Sequence, residues 1–250
     1  MVIDKETCEL LKQYAEQYET AAFLPGDPSW FMHQVSGASN QEAMAFIAAS
    51  LSYGSRQQFM KKIQLILDWS DGCVDEWVRT GRYAEHLKLG DETCFYRLYT
   101  SDTMHRFLRT YQQLLNEHGT LGDYLRREAT CTFEAVDAIC RYFSQHDISV
   151  IIPKNTQSAC KRVCMFLRWM VRTDSPVDLG LWADFIDRRT LIMPLDTHVL
   201  QQSERLGLIS SKTASMTAAR RLTAALATIF PADPLKGDFA LFGHGVNHAD

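Results

Sequence analysis

Apolar side chains recur at every third or fourth position along most of this 250-residue chain, the spacing of helices that bury one face. Glycine and proline turns separate the apolar stretches. The pattern predicts helices around apolar stripes at 44–51, 59–67 and 104–115, and over residues 133–143, 157–171, 197–206 and 213–230. The only strand-like run, Ile148 to Ile152, is too short and isolated to found a sheet. The sequence therefore predicts an all-α protein of ten or more helices.

Basic residues are concentrated in one stretch, although the chain carries a net charge of −4. That net charge excludes a uniformly basic nucleic-acid coat but not a local basic patch. The stretch at 151–172 has no acidic residue and contains Lys154, Lys161, Arg162, Arg168 and Arg172. On a helical wheel, Lys161, Arg168 and Arg172 fall opposite the apolar face of the predicted helix. The stretch predicts either a polyanion-binding patch or an ordinary solvated helix face.

The cysteines and the apolar runs indicate a cytosolic protein. Seven cysteines lie at irregular spacing with no CxxC pair, which is typical of reduced thiols. The first 30 residues lack a signal-peptide pattern, and no apolar run reaches 18 residues, so we expect a soluble protein without membrane contact. His244 and His248 are spaced like two metal ligands, but no third ligand lies nearby, so no metal site is predicted.

Two residues have the local context of a catalytic pair. Lys161 falls in the first turn of a predicted helix and is a candidate amine nucleophile, although a plain surface lysine has the same pattern. Asp196 follows an apolar run with Pro194 and precedes a helical run, which predicts a helix N-cap. A partly desolvated carboxylate at such a place could also stabilise a developing cation.

The segments around these residues resemble the helix-hairpin-helix DNA glycosylase superfamily. Residues 195–199 (LDTHV), followed by residues 205–207 (RLG), are similar to its [VL]DTHV…RLG signature. Lys161 with residues 166–168 (FLR) is similar to the K-x4-FLR run around the Schiff-base lysine of archaeal-type 8-oxoguanine DNA glycosylase/AP lyases. Residues 45–54 occupy the place of the early LLSxQ helix end of these enzymes.

Over residues 25 to 246 the sequence is still more similar to DUF2400, a bacterial family within that superfamily. The hallmark segments are FIAASLSYG at 46–54, SACKR at 158–162, FLRWMVR at 166–172 and DFALFG at 238–243. The resemblance implies an all-α, two-lobed DNA-glycosylase-like (HhH-GPD) fold with a central cleft. It implies a central helical lobe over residues 40–172 and a second lobe from residues 1–39 with 173–250.

The resemblance also implies an activity, that of a base-excision repair glycosylase with AP lyase activity and oxidised purines as candidate substrates. Lys161 corresponds to the Schiff-base nucleophile and Asp196 to the carboxylate that activates it, with no metal or nucleotide cofactor. The implied partner is damaged duplex DNA with a flipped nucleotide, in the bacterial cytosol or nucleoid. The residues expected to contact nucleic acid are Tyr53, Arg56, Gln57, Lys154, Asn155, Arg168 and His198.

Four features depart from the superfamily pattern. The hairpin before the lysine normally reads LPGxGxK and presents backbone N–H groups to a phosphate, but residues 152–161 contain no glycine. Gln201 stands where an arginine usually follows the DTHV motif. The insert between Lys161 and Asp196 is longer than in most relatives and carries a predicted extra helix at 177–186. No cysteine follows Cys164, so the iron–sulfur quartet of the endonuclease III relatives is absent. These departures favour, as the alternative, a non-catalytic nucleic-acid-binding protein on a glycosylase-like fold.

Overall fold

The computed structural model describes residues 3–146 and 148–247. Its α-helices are α1 (Lys5–Tyr18), α2 (Ala38–Leu51), α3 (Arg56–Ser70), α4 (Val74–Arg79), α5 (Ser101–His118), α6 (Leu121–Glu128), α7 (Thr132–Ser144), α8 (Lys161–Val171), α9 (Thr197–Arg205), α10 (Met216–Ile229) and α11 (Lys236–Asn247). Short 3₁₀ turns lie at Ala21–Phe23, Pro28–His33, Arg82–Glu85 and Arg188–Thr190. In the described ranges the only strands are β1 (Cys94–Tyr96) and β2 (Tyr99–Thr100), an antiparallel pair. The prediction of an all-α protein is confirmed, because the described residues are mostly helical and contain only this short strand pair.

Each predicted apolar stripe lies in a helix, but two segments differ from the sequence-based prediction. Residues 177–186 form turns rather than an extra helix, because their backbone N–H groups bond to the end of α8: Leu179 N–H donates to the Trp169 carbonyl and Trp182 N–H to the Met170 carbonyl, both at 2.7 Å. The helix expected from residue 157 begins at Lys161, because Cys160 has φ +47°, which a right-handed helix does not allow.

The chain divides into two compact units. The first comprises residues 1–25, 131–136 and 156–250, and the second comprises residues 26–130 and 137–155. The structure thus groups residues 156–172 with the first unit, whereas the resemblance implied a central lobe that runs from residue 40 to residue 172. The physical reason is that Arg168 and Arg172, at the end of α8, make ion pairs with carboxylates of that unit. These carboxylates are Glu19, Asp178, Asp233 and Asp238.

The first unit packs α1 directly against α11. Gly243 permits this close approach, because a Cβ at this position would lie 2.3 Å from the Tyr18 ring. On α8, the side chains Val163, Phe166, Leu167, Trp169 and Met170 are all buried and form its core face. Burial of this face, rather than intrinsic propensity, accounts for most of the stability of such a helix.

The second unit is built around α2, which is buried from Glu42 to Leu51. A helix that is apolar on every side belongs in a core. Its one acidic residue, Glu42, accepts hydrogen bonds from the backbone N–H groups of Leu121 (2.8 Å) and Gly122 (3.1 Å). A carboxylate is favoured there because the first N–H groups of α6 have no partner within the helix.

A buried charge cluster in the first unit corrects the expectation of a solvent-facing basic stripe on α8. Arg168 is only 4% exposed and Arg172 only 1%. Both guanidinium groups lie over the Phe239 ring, at 4.8 Å and 5.4 Å from its centre. The cluster consists of Arg168, Arg172, Glu19, Asp178, Asp233 and Asp238.

Arg172 makes the larger share of these contacts. Its Nε and Nη2 atoms donate to both carboxylate oxygens of Asp233, at 3.0 Å and 2.7 Å, and Nη2 also donates to Glu19 at 2.6 Å. Its Nη1 donates to Asp178, which in turn accepts from Arg168 Nε at 3.2 Å. Arg168 completes the cluster by an ion pair with Asp238. The arginines are therefore buried because four carboxylates from other segments meet them.

No helix in the described residues is long and apolar enough to cross a membrane.

Candidate lysine–carboxylate site

Lys161 is the first residue of α8, and the chain before it is held in an unusual conformation. Cys160, the residue at the cap position, has φ +47° and makes no side-chain capping bond. Two residues earlier, Ser158 forms an isolated antiparallel bridge with Ser215, which caps α10. This pairing and the left-handed residue fix where α8 begins, and they leave the Lys161 side chain 40% exposed.

Asp196 is the N-cap of α9, as its sequence context predicts. Its Oδ1 atom accepts a hydrogen bond from Val199 N–H at 2.8 Å. The preceding apolar run, residues 191–195, is buried, and Met193 N–H donates to Thr223 Oγ1 on α10 at 2.9 Å. That bond anchors the segment to α10, so the backbone that carries Asp196 is fixed on both sides. The Asp196 side chain remains 36% exposed.

The two side chains meet in an ion pair. Lys161 Nζ donates to Asp196 Oδ2 at 2.6 Å, although 35 residues separate them along the chain. The two carboxylate oxygens have different roles, since Oδ1 caps α9 and Oδ2 accepts from the lysine. Both side chains are partly exposed to solvent. A substrate that approaches from solvent can reach both groups.

The surroundings of Asp196 favour its ionised form. Burial of the carboxyl works against ionisation, but the charge and hydrogen bond of Lys161 oppose it, and the Val199 N–H and nearby His198 add to them. The net result is that the pKa of Asp196 lies below its ordinary value of 3.8. A carboxyl with a lower pKa in the folded chain stabilises the fold above pH 3.8, and this contribution is lost as the pH falls through the folded-state pKa.

The other residues predicted to contact nucleic acid lie in different surroundings. His198 is exposed on the first turn of α9, close enough to Asp196 to influence its ionisation. The second unit contains the others, all exposed in the turn before α3, its first residues, or the loop after α7: Tyr53, Arg56, Gln57, Lys154 and Asn155.

Arg168 is the one member of the predicted set that the structure does not bring to the surface. Its guanidinium is paired with Asp178 and Asp238 inside the first unit. A buried guanidinium that is paired with two carboxylates, one of them fully buried, presents no free donor face to a phosphate. We therefore correct the expectation that Arg168 contacts nucleic acid: its position in the FLR motif reflects packing of α8.

A buried hydrogen bond that sequence reasoning missed ties α9 to α11. His244 Nδ1 lies 2.7 Å from Gln202 Oε1, and both residues are buried. Nothing local in the sequence links positions 42 residues apart, so no pattern could have indicated this contact. His248, the second histidine of the spacing considered above, lies outside the described residues. Among the described residues, no group of three His, Cys, Asp or Glu side chains could hold a metal ion.

Fold and site together define a mostly helical protein. In it, the amine of Lys161 at the start of α8 forms an ion pair with the carboxylate of Asp196 at the start of α9. The chain belongs to the DUF2400 family, described as a protein of unknown function, whose model matches residues 27–247. No curated protein and no solved structure matches the chain.

Proposed function

We propose that this protein is a DNA base-excision glycosylase with AP lyase activity on a helix-hairpin-helix glycosylase-type fold. Lys161 is the nucleophile and Asp196 the carboxylate that activates it. The observation that carries the proposal is the 2.6 Å contact between Lys161 Nζ and Asp196 Oδ2. An amine nucleophile needs a group that can take its proton, and a nearby carboxylate within hydrogen-bond reach meets that need.

The proposed reaction uses only these two side chains and the substrate. Lys161 passes a proton to Asp196, and the free amine attacks C1′ of the damaged nucleotide. The C1′–N bond breaks, and the base leaves with the bonding pair and takes up the proton held by Asp196. The attached nitrogen then returns a proton to Asp196, and the C1′–O4′ bond opens as O4′ takes that proton, which gives an iminium ion. Asp196 finally removes a C2′ proton, and the electron pair of that C–H bond expels the 3′ phosphate by β-elimination.

The electrostatics of the pair suit the stabilisation of positive charge at C1′ better than the first proton transfer. The lowered pKa of Asp196 keeps the carboxylate ionised at neutral pH, so it carries the negative charge that stabilises cationic character at C1′. Because the carboxylate is a weak base, proton transfer from the lysine is uphill until a substrate displaces the solvent around the pair. We therefore expect the amine to be activated only in the DNA complex.

One observation favours a second candidate, a nucleic-acid-binding protein without chemistry. Two of the five basic residues in the 151–172 stretch, Arg168 and Arg172, are neutralised inside the first unit. The phosphate-binding contribution of that stretch is therefore smaller than its composition indicates. Salt-dependent DNA binding without any product, unaffected by loss of the Asp196 charge, would support this candidate over the enzyme.

Borohydride trapping tests the proposal. Borohydride reduces an iminium ion to a stable amine, so an enzyme that forms one becomes covalently attached to its DNA. Oligonucleotide duplexes with an abasic site, 8-oxoguanine, other oxidised bases or no lesion would be incubated with the full chain and borohydride. We expect a covalent adduct with the abasic duplex and with at least one damaged base. No adduct with any duplex would overturn the proposed activity.

Asp196→Asn should separate the capping role of Asp196 from its catalytic one. Asn is as good an N-cap as Asp, and the lost ion pair with Lys161 is partly exposed, so we expect the free energy of unfolding to fall by about 1 kcal/mol or less. The amide has no charge and cannot accept the lysine proton, so the rate of adduct formation should fall about 10²-fold to 10³-fold. Single-turnover trapping and urea denaturation measure the two effects.

Asp196→Ala is the matched comparison. It removes the cap as well, and we expect about 1 kcal/mol of additional destabilisation from the lost bond to Val199 N–H. Equal trapping rates for wild type and Asp196→Asn would show that the charge has no part in the reaction.

A further inference from the structure

An open cavity of about 430 Å³ lies in the first unit, between the end of α8 and the segment that follows it. Val171 and Thr173 line one side, and residues 183–188 line the other. The volume falls within the range of small-molecule sites, about 300–1,000 Å³. Val171 lies about 15 Å along α8 from Lys161, so the cavity is separate from the lysine–carboxylate site.

The segment that forms the second side of the cavity is fastened to α8. Its beginning is held by the hydrogen bonds from Leu179 and Trp182 N–H to carbonyls of α8, and Ile186 N–H donates to the Trp182 carbonyl at 3.1 Å. Gly180 has φ +65° and approaches so closely that a Cβ there would lie 2.8 Å from Thr173 Cγ2. The cavity is therefore formed before a ligand arrives, which lowers the entropic cost of binding.

The lining contains one cation, Arg188, whose guanidinium is only partly used by the protein. Its Nη1 donates to Thr173 Oγ1 and to Asp174 Oδ2, both at 3.3 Å. Among the described residues, no hydrogen bond of the protein uses its Nε or Nη2. The ion pair with Asp174 is weak, because the Asp174 side chain is 85% exposed. A guanidinium with donors to spare suits a carboxylate, which it binds through two parallel hydrogen bonds.

Two carboxylates also line the cavity, and they differ in their pairing. Asp187 is neutralised by Arg189, whose backbone N–H donates to Oδ1 at 2.8 Å and whose Nε donates to Oδ2 at 2.8 Å. Asp184 is exposed and adds a negative charge to the lining. Half-buried Phe185, next along the chain, adds an apolar surface. The lining therefore combines a carboxylate and an aromatic ring with the guanidinium of Arg188.

We propose that this cavity binds a free α-amino acid with an apolar side chain. Its carboxylate is bound by Arg188, its ammonium group by Asp184, and its side chain packs against Phe185. A ligand with a single charge is repelled by one of these two residues, whereas an amino acid at neutral pH carries both charges close together. The proposal goes beyond the proposed function and does not depend on it.

The end of a peptide is the other ligand that an arginine and an aspartate at one cavity suit. A peptide terminus carries either the ammonium group or the carboxylate beside its last side chain, but not both. The opposite charges in one lining therefore favour the free amino acid, and binding of a peptide becomes an outcome of the test.

The test is a titration of the full chain, followed by saturation-transfer NMR, with phenylalanine and leucine as probes. Each is compared with the amine that lacks its carboxylate and with the acid that lacks its ammonium group. We expect at least one amino acid to bind with a dissociation constant of about 1 mM or below. Its amine and its acid should each bind at least about 10-fold more weakly, because each lacks one charge-assisted hydrogen bond.

Two variants assign the two charges separately. Arg188→Gln should weaken binding of the amino acid at least about 10-fold, whereas the amine, freed of a repelling charge, should bind no more weakly than to wild type. Asp184→Asn should weaken binding of the amino acid but not that of the acid. Arg221→Gln, which alters an exposed arginine of the same unit outside the lining, should behave as wild type. Thermal melting by circular dichroism tests that the variants are folded.

Several outcomes would overturn the proposal. These are no binding of either amino acid at 10-fold above the expected dissociation constant, and an amine or acid that binds as tightly as the amino acid. Unchanged affinity in folded Arg188→Gln or in folded Asp184→Asn would also overturn it. Dipeptides with phenylalanine or leucine at either end are the last comparison, and tighter binding of a dipeptide than of the amino acid would assign the cavity to peptide ends instead.

Discussion

Lys161→Gln is expected to form no covalent adduct with DNA under borohydride, a loss of at least about 10³-fold against wild type. Glutamine keeps a polar side chain of similar reach, but its amide nitrogen cannot form an iminium ion with C1′. The partner Asp196 keeps its capping bond to Val199 N–H, so α9 should remain folded. Gel electrophoresis of trapped complexes on the abasic duplex measures the loss.

The matched control is Lys212→Gln, which removes an exposed lysine from the same unit. It has the same chemical change and the same effect on net charge, and it should trap as wild type does. Circular dichroism of both variants tests that they are folded. Undiminished trapping in Lys161→Gln would mean that another amine forms the adduct, and the proposed mechanism would be wrong.

Arg172→Ala is expected to lower the free energy of unfolding by about 3–5 kcal/mol, because it leaves buried carboxylates without their partner. Arg172 is 1% exposed and bonds to Glu19, Asp178 and Asp233. A loss of this size is a large part of the 5–15 kcal/mol typical of a domain. Urea denaturation followed by circular dichroism and tryptophan fluorescence measures it, and a failure to obtain folded protein agrees with the same expectation.

Arg141→Ala is the control for this variant. Arg141 also pairs with two carboxylates, Glu128 and Asp137, but its side chain is 50% exposed. Exposed pairs contribute about 0–1 kcal/mol, so this variant should be nearly as stable as wild type. Equal losses for the two variants would show that burial does not set the cost.

The pH dependence of Arg172→Ala offers a second check. Burial raises the pKa of Asp178 above 3.8, although Arg168 and Arg172 oppose the effect. Without Arg172 that opposition weakens, so the folded variant should bind protons more readily than the unfolded chain. The difference in stability between the variant and wild type should therefore shrink as the pH falls from neutral towards the raised pKa.

Local sequence pattern was sufficient to predict most of the helices and, at the candidate site, the helix-capping role of Asp196. The apolar stripe of α5, for example, needs only the 3.6-residue period, and the cap at Asp196 needs only the residues next to it. The start of α8 could not be predicted, because it depends on a left-handed Cys160 and on a bridge to Ser215 far along the chain. The resemblance alone suggested that Lys161 and Asp196 belong together.

The basic stripe shows why charge pattern alone misleads. On the helical wheel, Arg168 and Arg172 fall on the side that solvent would cover if α8 were a surface helix. Their partners Asp178, Asp233 and Asp238 come later in the chain, and Glu19 comes 153 residues before Arg172. A one-dimensional pattern does not contain these distances. Buried arginines are recognised only when the carboxylates that neutralise them are seen in space.

The buried charge cluster has a consequence for where the Lys161 amine can reach. At 1.5 Å per residue, Arg168 lies about 10 Å along α8 from Lys161, and Arg172 lies a turn beyond. With its far end fastened to four carboxylates, α8 cannot slide or rotate without breaking several ionic bonds at once. The backbone of Lys161 is therefore fixed, so in the proposed reaction the substrate must bring C1′ to the amine.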